Sequence, residues 1–153
     1  MLDFFDLMFI VSGMIFFISM IGAFILMAHE KMKTVLISGV ILAVLMLPII
    51  VVLIGYVIVG KDLVLIIYTI LILSYLVAEF LLDRVFKIDF RSKASQHVPY
   101  IILEWAAAFS FLYGTRELDM TMFAIIAIFF WVFVAALVYY LILQRKSKKK
   151  DNN

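Results

Sequence analysis

Five long apolar stretches, separated by short polar ones, make up most of the chain. A hydrocarbon layer about 30 Å thick is crossed by an α-helix of about 20 apolar residues. Runs of that length, with at most one charge each, cover residues 4–28, 34–59, 63–82, 97–115 and 120–143. The first carries Asp6 near its start, the third Glu79 and the fourth Glu104, while the second and fifth carry no charge. Only Gly60, Lys61 and Asp62 separate the second run from the third. So short a link makes the two helices antiparallel neighbours.

The pattern predicts an all-α fold: an integral membrane helical bundle of five transmembrane helices in residues 1–143, followed by a basic tail at 144–153. Loop lengths differ, and an odd number of spans does not divide into two halves, so an inverted-repeat transporter architecture is not suggested. The tail, from Gln144 onward, is basic and of low complexity. Disorder is expected there.

Polar residues between the spans set a direction. Lys31 and Lys33, then Arg84, Lys87, Arg91 and Lys93, then Arg145, Lys146, Lys148, Lys149 and Lys150 occupy alternate segments, eleven of the 13 basic residues. Lys61 and Arg116 fall on the other side. Lys and Arg accumulate in short cytoplasmic loops, so the N-terminus is expected outside and the tail in the cytoplasm. The reading is of a multi-pass protein of the cell membrane, and an even number of spans would break the alternation. Asp3 and Asp6 open the first run where a secretory signal peptide carries positive charge, and the run is too long for such a peptide. It therefore reads as a span.

Composition agrees. Hydrophobic residues are 67% and charged residues 16% of the chain, with a mean hydropathy of +1.21. Soluble domains hold about 45–50% apolar and about 25% charged residues, and a water-soluble fold of this size has no interior large enough for the excess. With no cysteine, disulfides, thiolate chemistry, zinc–sulfur sites and iron–sulfur clusters are excluded. No cofactor is implied, and no basic face suggests nucleic acid.

Two carboxylates inside membrane helices are the main candidates for chemistry, because such groups face the bundle interior and mark function or a structural pair. At about 1.5 Å per residue, Glu79 lies about 6 Å inside Asp83 and Glu104 about 10 Å inside His97, at similar depth near the cytoplasm. Taking about 100° per residue, Tyr68, Tyr75, Glu79 and Phe86 share one stripe, with Asp83 at its edge. On the next span His97, Tyr100, Glu104, Ala108 and Phe111 share another. The stripes are expected to face each other or a common cavity. The opposite face of the fourth span carries Ala106, Ser110 and Gly114, small residues that admit a neighbouring helix closely.

A pocket of Glu79, Glu104, Asp83, His97, Tyr75 and Tyr100 fits a proton or cation site, since desolvation and a nearby like charge both favour the protonated carboxyl and His97 is a proton relay by its ordinary pKa. A metal is not expected: His97 and Glu104 stand two turns apart, and no dense ligand motif is present. Between the third and fourth spans Val85, Phe86, Ile88 and Phe90 are interspersed with Arg84, Lys87, Asp89, Arg91 and, beyond them, Lys93. Arg84, Lys87, Arg91 and Lys93 are candidates for holding anionic lipid headgroups at the cytoplasmic face. Snorkelling topology residues are the commoner explanation.

Pro48 removes a backbone hydrogen bond from the second span and predicts a kink. His29 reads as solvated surface, Phe129, Phe130, Trp131 and Phe133 as lipid-facing or packed surface, and Tyr139 and Tyr140 as an interfacial belt. Three functional classes fit: binding or transport of a proton, cation or cationic solute; a lipid-modifying enzyme of the cytoplasmic leaflet with the carboxylates as acid and base; and an accessory or assembly subunit whose glutamates only pair with neighbours. The lipid bilayer is the expected partner, and a homo-oligomer or a larger membrane complex is compatible with the sequence.

Overall fold

Each of the five apolar stretches is helical in the computed structural model, which describes residues 2–29, 32–82 and 94–151, with side chains for 2–29, 37–82 and 100–143. The helices are α1 (Phe4–Ala28), α2 (Met32–Val59), α3 (Leu63–Phe80), α4 (Ala94–Leu118) and α5 (Met120–Asp151). Four of them, α1, α2 from Ile37, α3 and the Met120–Leu143 part of α5, are long and apolar enough to cross a membrane. The chain is thus all-helical with the character of a multi-pass membrane protein. The fifth helix, α4, has 25 residues but is less apolar, because Glu104, Ser110 and Thr115 lie within it and Arg116 and Glu117 near its end.

Local chemistry sets the helix ends. Asp3 caps α1 through a reciprocal box: its carboxylate accepts from the Asp6 N–H at 2.9 Å, and the Asp6 carboxylate accepts from the Asp3 N–H at 3.0 Å, satisfying two otherwise orphaned donors. Gly60 ends α2 at φ +73°, a left-handed position that glycine takes without Cβ strain. The Lys61 N–H then donates back to the Tyr56 carbonyl at 3.0 Å, closing a Schellman turn. Asp119 stands between α4 and α5, accepting from the Met122 N–H at 2.8 Å.

The tail departs from expectation. Instead of a disordered segment from Gln144, the α5 backbone stays helical through Asp151. Gln, Arg and Lys are good helix formers, and extending an existing helix needs no new nucleus.

The helices form a closed ring in which each packs on its chain neighbours, α5 returns to α1, and α1 also touches α4 across the centre. Buried faces meet there. Phe16 and Phe17 of α1, Tyr75 of α3, Phe111 of α4 and Phe133 of α5 are all fully buried. Ring centroids lie 5.1 Å apart for Phe16–Phe111, 5.8 Å for Phe16–Tyr75 and 5.9 Å for Phe17–Phe133, distances at which aromatic pairs attract beyond simple area burial.

In lipid, helices gain little by hiding apolar surface, so association rests on close fit. The α1–α4 contact is a reciprocal notch. A Cβ on Gly114 would stand 2.7 Å from Phe9 Cζ, and one on Gly13 would stand 2.9 Å from Phe111 Cδ1. Gly114 of α4 thus receives Phe9 of α1, and Gly13 of α1 receives Phe111 of α4, an aromatic ring filling each glycine gap. Pro48 lies inside a continuous α2. The Phe-rich stretch of α5 divides: Phe130 and Phe133 are buried, whereas Trp131 is 68% exposed, as a bilayer-facing side chain would be. His29 is exposed at the end of α1, its ring near Tyr139.

Candidate functional site

Tyr75 and Glu79 lie one turn apart on α3, and Tyr100 and Glu104 one turn apart on α4, so each tyrosine–carboxylate pair shares a helix face. Because α3 and α4 pack directly, the two faces come together. Glu79 and Glu104 are each only 6% exposed. The Tyr100 hydroxyl donates to Glu79 Oε2 in a short contact. Tyr75 Oη lies 3.1 Å from Tyr100 Oη, and 3.7 Å from the Met20 sulfur of α1. Glu104 is near enough for its charge to act on the Tyr100 hydroxyl.

Of the six pocket residues read from sequence, Tyr75, Tyr100 and Glu79 are joined by short polar contacts, and Glu104 is buried one turn from Tyr100 on the same helix. Of the other two, His97 lies on the α4 backbone with its side chain outside the described residues, and Asp83 falls outside them altogether. Arg84, Lys87, Arg91 and Lys93, the headgroup candidates, also lie outside the described residues. Among the described residues no group of three or more potential metal ligands clusters.

Chemically, the arrangement is a hydrogen-bonded line, Tyr75–Tyr100–Glu79, in an apolar surround. A phenol both donates and accepts, so Tyr100 can donate to Glu79 while accepting from Tyr75 behind it. Hydrogen bonds in such a low-dielectric setting are strong, and unpaired groups costly. Met20 was not legible as a participant, because one methionine among nine on an apolar helix carries no signal until α1 is placed against α3.

A second polar cluster lies at the other end of the bundle. Lys61 Nζ stands 3.0 Å from Asp3 Oδ2 and 2.8 Å from Asp6 Oδ2, and 5.9 Å from the centre of the Tyr56 ring. Partial burial opposes charge on both Asp3 and Lys61. Even so, hydrogen bonding with Asp6 and with each other, together with mutual attraction, holds the Asp3 carboxyl below its usual range and pushes the Lys61 amine above its own. In the sequence Asp6 reads as an interruption and Lys61 as a topology charge. The available signal was the Asp3–Asp6 capping spacing together with a lysine on the two-helix turn of the same face. A shallow cavity of about 280 Å³ lies beside this end, lined by Asp62, Leu63, Val64, Leu65 and Glu117.

Compared with protein family models, with curated proteins and with solved structures, the chain finds no match.

Proposed function

We propose that the protein binds or conducts a proton or small cation through the α3–α4 cluster, with Glu79 and Glu104 as charge-bearing groups and Tyr100 and Tyr75 as hydrogen-bonding partners. The observation that carries the reading is Tyr100 donating to a buried Glu79 while bonded to Tyr75 behind it. Burying two carboxylates costs stability, and a line of turnable hydroxyls at the same place gives that cost a use. Asp83 and His97 belong to the proposal as the residues next along the chain toward the cytoplasm, and Arg84, Lys87, Arg91 and Lys93 as contacts for anionic headgroups there.

The membrane frame is part of the proposal. At about 1.5 Å per residue, the 25 residues of α4 match the length of α1, and its packing on α3 and α5, with Glu104, Ser110 and Thr115 buried, supports reading it as a fifth span. The Lys and Arg distribution then orients the N-terminus outside and α5's basic end in the cytoplasm.

Purified protein reconstituted into liposomes tests the reading. A pH-sensitive dye inside the vesicles should report flux that Glu79→Gln or Glu104→Gln lowers at least tenfold while the bundle remains folded. Flux unchanged by both substitutions sinks it. A structural pairing role for an accessory subunit has one supporting observation, that Glu79 already has a hydrogen-bond donor in Tyr100. In that case both variants lower the melting temperature and leave any flux untouched.

A further inference from the structure

Each phenol of the α3–α4 line has one hydrogen to give. Tyr100 gives its own to Glu79 Oε2. Tyr75 Oη has two acceptors within reach, the Tyr100 oxygen at 3.1 Å and the Met20 sulfur at 3.7 Å, and a single hydrogen to place between them. Its ring is fully buried and held edge-on by Phe16 of α1, with centroids 5.8 Å apart and planes at 85°. What remains free is rotation of the hydroxyl about its C–O bond. Met20 is itself only 5% exposed, and it comes from α1, whereas the rest of the line is built on α3 and α4.

The charge on Glu79 decides which acceptor Tyr75 serves. A bare carboxylate takes the Tyr100 hydrogen, the Tyr100 oxygen then accepts from Tyr75, and Met20 is left as an apolar neighbour. A thioether is a weak acceptor and loses little that way. A proton or small cation on Glu79 reverses the demand, because it needs a lone pair from Tyr100 and not a hydrogen. The Tyr100 hydrogen then turns to the Tyr75 oxygen, and the Tyr75 hydrogen turns to Met20. A thioether accepts and never donates, so it ends the line without sending a competing hydrogen back. An aliphatic side chain in its place would take that acceptor from a buried hydroxyl, a loss that opposes loading. Among the described residues, the titratable groups that act on Tyr100 are Tyr75 and Glu79 of α3 and Glu104 of its own helix.

We propose that Met20 is the terminal acceptor of a hydrogen-bond switch, Glu79–Tyr100–Tyr75–Met20, which turns over when Glu79 takes up its ion and so sets how tightly that ion is held. The inference rests on the reading of Glu79 as an ion-bearing group and deepens it, by adding a positioning residue on α1 that touches no ion itself. Every hydroxyl keeps its own hydrogen and only its direction changes.

Infrared difference spectroscopy on the full chain in nanodiscs tests this apart from any flux assay, with the tyrosine C–O bands assigned through Tyr75→Phe and Tyr100→Phe. The probes are protons, from about pH 8 to about pH 3 across the carboxyl range, and sodium ions at the alkaline end. In the wild type one of the two should move the Tyr75 band from that of a phenol donating to oxygen to that of one donating to sulfur. Met20→Leu, a swap that cores tolerate, should abolish that movement. Half-loading, read from the Tyr100 band, should then need about three- to tenfold more of the probe, the size expected for one hydrogen bond. Met20→Gln, which offers an amide oxygen at similar reach, should restore tight loading, and Met14→Leu, on the same helix and partly buried against the core, should change neither reading. A Tyr75 band that moves identically in Met20→Leu overturns the proposal, as does a wild-type band that neither probe moves. A still Tyr75 band alongside flux that depends on Glu79 refutes the switch alone, and a moving band without flux refutes only conduction through Glu79.

Discussion

A buried carboxylate persists where something donates to it, and at Glu79 one donor is the Tyr100 hydroxyl. Tyr100→Phe keeps the ring, which packs 5.8 Å from that of Tyr75, and deletes the hydrogen bond. A loss of about 1–3 kcal/mol is expected, measured by unfolding in detergent, whereas Tyr113→Phe at an exposed position should change little. No loss from Tyr100→Phe would mean that this contact does not hold Glu79. Glycines separate in the same way. Gly114→Ala drives a methyl into Phe9 and should cost about 1–3 kcal/mol by overpacking, while Gly22→Ala meets nothing within 4 Å and should be neutral or stabilise by up to about 1 kcal/mol. Equal effects at both positions would refute the notch between α1 and α4. Sequence alone exposed Glu79, Glu104, Tyr75 and Tyr100, because charge and phenol stand out against an apolar helix. It did not expose Met20 or Phe9, whose roles depend on which helix lies opposite.

At the scale of elements, Lys61 joins the α2–α3 turn to the first turn of α1 through Asp3 and Asp6. The sign of its pH dependence follows from the two shifts. Lys61 is raised when folded, so its contribution is complete below the ordinary lysine pKa of about 10.4 and is lost as pH rises through the folded value. Asp3 is lowered, so its contribution is present above the ordinary value of about 3.9 and is lost as pH falls through the folded one. Stability from this clamp should therefore hold between those limits and decline outside them. Lys61→Gln should remove the alkaline decline and lower stability overall. The loss belongs near the low end of the about 3–5 kcal/mol typical of a broken buried pair, since Lys61 itself is partly exposed. Melting temperature against pH for both proteins is the check, and an alkaline limb unchanged in Lys61→Gln would assign it to another group.

For the whole molecule, the proposed five-span arrangement predicts that the α2–α3 turn and the end of α5 lie on opposite sides of the membrane. With no native cysteine, single cysteines at Asp62 and Ser147 can be read without background. A membrane-impermeant maleimide should label the cysteine at Asp62 in intact cells, and that at Ser147 only after lysis. The reverse pattern inverts the orientation, and same-side labelling means that α4 does not cross. In both cases the charge alternation along the chain would have been misread.

What the sequence determined by itself is the set of helices, their approximate ends and their membrane character, because hydropathy and capping act over a few neighbouring residues and lipid demands that every span satisfy its own backbone. It also put Tyr75 and Glu79 on one stripe of α3 and Tyr100 and Glu104 on one stripe of α4, since a helix face is fixed by spacing, while the Tyr100–Glu79 contact itself was set by how the two helices pack. Tertiary structure alone decided that α5 closes the ring onto α1, that α1 fits α4 through glycine notches, and that Asp6, Tyr56 and Lys61, as many as 55 residues apart, converge at one end. Those pairings rest on shape and on charge met across distant segments, and neither leaves a periodic mark in the chain.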